Sequence, residues 1–257
     1  MITKATIQHN FSRHATRYDG YCRIQEWAAT ELLRDPSLGS FSRILDVGCG
    51  TGNLTQRLRE RYPSAHIEAI DLCPNMVALA RRKSLGLDID FQVGDAEIGD
   101  LGGPYDLIAS NAAFQWFRDL EQTIKHCLSH LEARGVLLFS MFGPATYREL
   151  ATTLTAVLGE EVTVSAAAFA DGERVAACLQ ARVGHLQVRQ ETVTHSYPSL
   201  MALLKTIKYS GTQGQGLSGR ALNRQEIQAL ECHYHERYGA IVATYQILYC
   251  LARRGPA

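Results

Sequence analysis

Short apolar runs alternate with amphipathic stretches along the first 142 residues of this chain. Ile44-Leu-Asp-Val47, His66-Ile-Glu-Ala-Ile-Asp71, Ile89-Asp-Phe-Gln-Val93, Tyr105-Asp-Leu-Ile-Ala-Ser110 and Gly135-Val-Leu-Leu-Phe-Ser-Met-Phe142 have the length and content of buried strands. Residues 54–58, 74–80 and 120–131 read as helices between them. Strands joined by helical crossovers lie parallel, so the pattern predicts an α/β fold with a doubly wound, mostly parallel sheet. Ahead of the first strand, Tyr21, Ile24, Ala28 and Leu32 recur at helical spacing until Asp35-Pro-Ser-Leu-Gly39 breaks the run.

The alternation weakens after Leu158. There the chain predicts a helix near 173–181, an extended stretch over 185–197, a short helix over 199–208 and a glycine-rich loop from Tyr209 to Gly219. A further helix is marked by Asn223 as N-cap, Glu226 closing a capping box, and Leu222 with Ile227 as a hydrophobic staple. Ile241–Leu251 reads as a last strand. The divisions expected are an N-terminal helical segment (1–40), a core (41–158), an insertion (159–219) and a C-terminal helix and strand completing the core (220–257).

The first strand runs into Gly48-Cys-Gly-Thr-Gly52 and then a helix. Glycines let backbone approach a ligand closely, and the free N–H groups of the helix start point at whatever lies over the turn. A dinucleotide fingerprint, G-x-G-x-x-G, would need glycine at position 53, which is Asn53. About 20 residues beyond the loop, Asp71 ends the second strand, where a carboxylate can accept both ribose hydroxyls. Asp71 also suits the start of the helix beginning at Pro74, and one residue can serve both roles. Asp46 beside the turn would repel a pyrophosphate but suits a cationic ligand. S-adenosylmethionine, with its sulfonium and ammonium groups, is such a ligand. Asp95 and Asn111 stand at the carboxyl ends of the third and fourth strands, where ligands of such sheets sit.

Charge narrows the partners. Lys and Arg total 26, as do Asp and Glu, so no overall pull toward nucleic acid or a membrane exists. No apolar run is long enough to span a bilayer, and the first ten residues lack a signal-peptide core. The seven cysteines are scattered without a C-x-x-C pair, which points to reduced thiols in a cytoplasmic protein. His126 and His130 share a helix face without the Glu of H-E-x-x-H, so no metal site is expected.

These motifs carry a resemblance. Asp46-Val-Gly-Cys-Gly-Thr-Gly52, Asp71-Leu-Cys-Pro-Asn-Met76 and Gly94-Asp-Ala-Glu97 resemble class I S-adenosylmethionine-dependent methyltransferases. Phe11–Asp19, Ser110–Phe117 and Phe142–Leu150 narrow it to the malonyl-[acyl-carrier protein] O-methyltransferases of biotin synthesis. Lys208–Gly214 resembles that family's lysine/glycine segment but departs from its usual Ile-Gly-Ala-Asn. The resemblance implies a seven-stranded sheet with its last strand antiparallel, an N-terminal segment covering the cofactor, and a cap over the site from the 159–219 insertion. It implies that Gly48, Cys49 and Gly50, with Gly52 completing the turn, hold the methionine moiety near Asp46. Asp71 would bind the ribose, Leu72 and Met76 would line the adenine, and Asp95 with Ala96 would meet its amino edge. Asn111 would face the methionine end, while Tyr18 and Trp116 would position the reactants.

The acceptor implied is the malonyl carboxylate of an acyl carrier protein thioester, or of malonyl-coenzyme A. A carboxylate is ionised near neutral pH, so no general base is needed. Arg148, Lys205 and Lys208 are the candidate anchors for it. Carrier proteins are acidic, which calls for a basic docking face, and Arg81-Arg-Lys83, Lys205/Lys208 and Arg253-Arg254 are the clusters available. Asn111-Ala-Ala-Phe114 lacks the prolines of amine-methylating turns, which disfavours nitrogen acceptors. Two other readings stay open: a methyltransferase for a free small carboxylate, and a cofactor-binding regulatory protein without transferase activity.

Overall fold

The computed structural model describes residues 3–159, 164–211 and 222–255. Seven strands form one sheet: β1 (Arg43–Val47), β2 (His66–Asp71), β3 (Ile89–Val93), β4 (Tyr105–Asn111), β5 (Leu131–Phe142), β6 (His185–Tyr197) and β7 (Ile241–Arg253). Their order is β3-β2-β1-β4-β5-β7-β6. β1 pairs in parallel with β2 and β4, with Val47 opposite Ile70 and Asp46 opposite Ala109. β7 is antiparallel to both its neighbours, β5 and β6.

Nine described helices, α1 (Lys4–Tyr18), α2 (Arg23–Leu32), α3 (Asn53–Arg61), α4 (Pro74–Lys83), α5 (Leu120–Ser129), α6 (Arg148–Leu158), α7 (Gly172–Gln180), α8 (Leu200–Tyr209) and α9 (Arg224–Tyr238), flank the sheet. β1 shows how the layers divide, because successive strand residues face opposite sides. Ile44 packs with Leu32 of α2 and Leu54 and Leu58 of α3, whereas Leu45 and Val47 pack with Ile124 of α5 and Val175 of α7. Burial on both faces is why this strand reads as a nearly continuous apolar run.

The chain reverses strand order between β1 and β4, and the carboxyl ends of β1 to β4 meet there. Such a crevice is where doubly wound sheets bind ligands. The capping box at Asn223 is formed as read, with Glu226 N–H donating to Asn223 Oδ1 at 2.9 Å and Asn223 N–H to Glu226 Oε2 at 2.9 Å.

One division needs correction. The extended stretch 185–197, grouped with the cap insertion, is the edge strand of the sheet, paired along its whole length with β7. Its exposure alternates between half-buried and exposed residues, as an edge strand with one covered face should. Of that insertion's described helices, α8 packs against α1. Most of the glycine-rich loop, from Thr212 to Gly219, lies outside the described residues.

Candidate active site

The turn after β1 needs glycine for two separate reasons. Gly48 has a φ of +71°, and a Cβ there would stand 2.4 Å from the Cβ of Ala113. The N–H groups of Gly48 and Cys49 both donate to the Ile70 carbonyl, at 2.8 and 3.1 Å. Gly50 N–H donates to Asp71 Oδ2 at 2.9 Å, and Cys73 N–H to Asp71 Oδ1 at 2.7 Å. Asp71 therefore fastens the glycine turn to the start of α4. Each of its oxygens keeps lone-pair capacity for a ligand hydroxyl. Burial raises its pKa, while the backbone hydrogen bonds from Cys73 and Gly50 oppose the rise.

A cleft opens over these strand ends. Tyr18, Gly48, Gly50, Asp71, Leu72, Met76, Asp95, Ala96, Asn111 and Trp116 all line it, so the structure brings together most of the residues expected from sequence. A smaller cleft, bounded by Tyr18, Gln25, Gly48, Cys49, Gly50 and Asn111, adjoins it. Asn111 is fixed there by donating to the Gln25 carbonyl at 3.0 Å and accepting from the Ser140 hydroxyl at 2.6 Å. Trp116 meets Phe11 and Phe169 edge to face, with ring centroids 6.0 and 5.3 Å apart. Burial pushes the Tyr18 phenol well above its ordinary pKa, helped by Cys22 and Asp19, so it remains a neutral donor.

The residues present fit S-adenosylmethionine. The acidic lining of Asp71, Asp95 and Glu97 faces one lining cation, Lys4, which favours a cationic ligand over a pyrophosphate. The close approach of Gly48 to Ala113 leaves no room for a side chain where a ligand's tail would pass. Ile70, Leu72, Met76 and Ala96 provide the apolar slot that an adenine ring requires.

Five expected residues are not brought to either cleft wall: Asp46, Gly52, Arg148, Lys205 and Lys208. Gly52 instead caps α3 with a φ of +86°, against Ala80. Arg148 is exposed and donates to Glu149 Oε1 at 2.9 Å, and that carboxylate in turn accepts from the Thr244 N–H and hydroxyl. The segment carrying Arg148 thus ties α6 to β7. Lys205 and Lys208 are exposed on α8.

Asp46 shares the strand face of Ile44 and so points beneath α3. It is fully buried, accepts from the Thr55 hydroxyl at 2.6 Å through Oδ2, and has no donor at Oδ1. Burial pushes its carboxyl up to about 7; the Thr55 bond restrains the rise and the Asp71 charge adds to it. In the unfolded chain Asp46 ionises near 4 (about 3.9). Between these values the folded state keeps a proton that the unfolded state has released. The resulting stabilisation is complete below about pH 4 and is lost as pH rises through about 7. Asp46→Asn is therefore expected to gain melting temperature relative to the native chain between about pH 5 and about pH 8. A difference that does not change with pH contradicts this.

A methyltransferase-domain family model matches residues 44–135. Over 258 residues the chain is 33% identical to the malonyl-[acyl-carrier protein] O-methyltransferase of Anoxybacillus flavithermus, covering 97% of each. The chain belongs to the malonyl-[acyl-carrier protein] O-methyltransferase family. The family member from Acetivibrio thermocellus is 46% identical over 152 residues, a match to 58% of this chain that spans about half, 54%, of the relative. Among solved structures, YcgJ of Bacillus subtilis matches with a TM-score of 0.63 at 14% identity, over 90% of this chain and 99% of its own. The N-methyltransferase NodS of Bradyrhizobium japonicum, in complex with S-adenosylhomocysteine, matches with a TM-score of 0.57 at 16% identity, over 97% and 98%. These two likenesses concern the fold alone.

In this member of the family, α1 contributes more than Tyr18. Lys4, Ile7 and Phe11 also line the cleft, with Ala15 buried on the same helix face. Their spacing of three and four residues was a readable signal for one helix face. Lys4 Nζ reaches Asp95 Oδ2 at 2.6 Å and Glu97 Oε2 at 2.5 Å, pinning the start of α1 across the cleft. Burial works against the Lys4 charge, but the Asp95 and Glu97 hydrogen bonds outweigh it and raise its pKa. Lys4→Ala is expected to speed amide exchange across the first two turns of α1 and to weaken S-adenosylhomocysteine binding roughly threefold, as loss of a part-buried ion-pair network should. Unchanged exchange contradicts the pinning role. Gly211, at the end of α8, carries a φ of +73° and abuts Phe11, where a Cβ would stand 2.1 Å from the ring. No spacing in the sequence linked these two positions.

Proposed function

We propose that this protein transfers the methyl group of S-adenosylmethionine to the free carboxylate of a malonyl thioester on an acyl carrier protein, giving the methyl ester. The observation that carries the reading is the likeness to the Anoxybacillus flavithermus relative, which extends over 97% of both chains rather than over the cofactor core alone. An ester removes the carboxylate charge, so enzymes with apolar pockets could extend the masked chain as a precursor of pimelate and biotin.

When bound, S-adenosylmethionine supplies a methyl carbon that a carboxylate oxygen displaces from sulfur, the C–S electron pair staying on sulfur. The chain's part is alignment and exclusion of water. Asp71 would hold the ribose end, the Gly48–Gly50 backbone and Asn111 would hold the methionine end, and Asp95 with Ala96 would bound the adenine. Tyr18 and Trp116, on α1 and the turn after β4, line the cleft and would position the two reactants. No residue is asked to take a proton, because the acceptor is already ionised. α1 and α8 together act as the cover of the site, and cytoplasmic location fits the cysteines, free in all seven cases. Among the described residues no helix is long and apolar enough to cross a membrane.

The test is a comparison of acceptors by mass spectrometry: malonyl-carrier protein, malonyl-coenzyme A and aconitate, each with S-adenosylmethionine. Methylation of the carrier species, with aconitate absent or much slower, is expected. Methylation of small free acids alone would assign the protein to the small-molecule reading. Cofactor binding without any methylated product would favour the regulatory one.

A further inference from the structure

The cations of this electroneutral chain are not evenly spread. α1 and α8, which pack on each other, carry Lys4, Arg13, Arg17, Lys205 and Lys208 and not one Asp or Glu. Lys4 is spent inside the cleft on Asp95 and Glu97. The other four are exposed, and none has an ion pair among the described residues. His9, Arg13 and Arg17 recur every four residues along the outer edge of α1, while Phe11 and Tyr18 on its inner face line the cleft.

Tyr209 gathers this charge into one patch. Arg17 Nη1 donates to its hydroxyl at 2.7 Å, and the Arg17 guanidinium lies 5.0 Å from its ring centroid. Lys208 Nζ lies 5.8 Å from the same centroid, and the His14 ring 5.1 Å. His14 feels the result: burial and then Lys208, Arg13, Arg17 and His9 all lower its pKa. The other basic clusters are largely engaged. Lys83 pairs with Asp19, Arg81 donates to the Phe91 carbonyl, Arg253 to that of Ser37 and Arg254 to that of Leu131.

We infer that the outer face of α1 and α8, centred on Arg13, Arg17 and Lys208, is the docking surface for the acidic acyl carrier protein. This rests on the carrier reading proposed above and specifies where the carrier sits. A carrier held there stands against the helix whose other face is the cleft wall, so its acyl arm enters beside Phe11 and Trp116. Uncompensated rim cations raise association rate and select an acidic partner more than they add tight contact.

The test uses steady-state kinetics of the full chain, with S-adenosylmethionine saturating and two acceptors, malonyl-carrier protein and malonyl-pantetheine. In Arg13→Glu/Arg17→Glu, KM for the carrier is expected to rise at least about tenfold with kcat retained, and the native enzyme's KM to rise with salt more steeply than the variant's. Malonyl-pantetheine kinetics should not change. Arg82→Glu/Arg224→Glu, the same change in charge on exposed residues of α4 and α9, should leave both acceptors unaffected. An unchanged carrier KM overturns the docking face alone, whether or not the native protein also binds anionic vesicles or nucleic acid there. Equal losses on both acceptors overturn it too, since they signal damage to the cleft. A native enzyme that methylates malonyl-pantetheine but not the carrier overturns the carrier reading and this surface with it.

Discussion

Replacing Gly48 by alanine is expected to weaken S-adenosylmethionine binding by roughly 30-fold or more, measured by calorimetry. Two costs combine at this position. An L-residue at a φ of +71° costs about 1–2 kcal/mol relative to glycine. The added Cβ also overlaps the Cβ of Ala113 at 2.4 Å, and forcing such a contact costs about 1–3 kcal/mol more. Ala113 belongs to the turn that carries Asn111, Ala112 and Trp116, and Ala112 itself already has a φ of +53°. Relief of the overlap must therefore come from moving either the glycine turn or the turn facing it, and both line the cleft. Gly50→Ala is the internal comparison: its φ is +56°, but nothing lies within 4 Å of the added Cβ. Without cofactor, Gly48→Ala should lower the melting temperature clearly more than Gly50→Ala. Equal losses would mean that backbone strain alone, and not the packing of the two turns, makes Gly48 necessary.

The second large effect is at Asp71. Asp71→Ala removes the carboxylate proposed to accept the ribose hydroxyls and leaves the N–H groups of Gly50 and Cys73 without their partner. A buried donor so orphaned costs about 1–3 kcal/mol. Cofactor affinity is expected to fall by roughly 10²- to 10³-fold, with a lower melting temperature in the free protein. Asp71→Asn should recover only part of either loss, because its amide can accept at one end but sets an N–H₂ against an N–H donor at the other. A dissociation constant for S-adenosylhomocysteine within about threefold of the native value in Asp71→Ala would reduce Asp71 to a helix-start residue and remove it from the site.

Much of this site was legible because its residues announce themselves locally. A glycine turn between strand and helix, a carboxylate about 20 residues on, and polar residues ending the third and fourth strands are each readable within a few positions. The parallel core was legible for the same reason, since a strand buried on both faces leaves an apolar run. What escaped depends on distance in the chain. Lys4 meets Asp95 and Glu97 across some ninety residues, and Gly211 meets Phe11 across two hundred. Asp46 was misplaced toward the ligand because spacing along the chain was read without the alternation of strand faces. That alternation puts it with Ile44, under α3 against Thr55. β6 was assigned to a cap because an edge strand lacks the continuous apolar run of its neighbours, and its pairing with β7 is set by residues more than forty positions away. Arg148, Lys205 and Lys208 were singled out by charge alone. Charge without an element to aim it does not locate an anchor, although Lys205 and Lys208 both lie on α8, the helix that packs against α1.

The central claim is methyl transfer to a carboxylate oxygen, and one labelling experiment addresses it directly. Malonyl-carrier protein would be incubated with this enzyme and S-adenosylmethionine carrying a ¹³C-labelled methyl group, and the product examined by NMR and mass spectrometry before and after mild base. The account predicts one labelled methyl per malonyl group, present as an ester and released by base as labelled methanol. Label on carbon or nitrogen, label that resists base, or label that stays on the cofactor while the malonyl-carrier remains unchanged would contradict it.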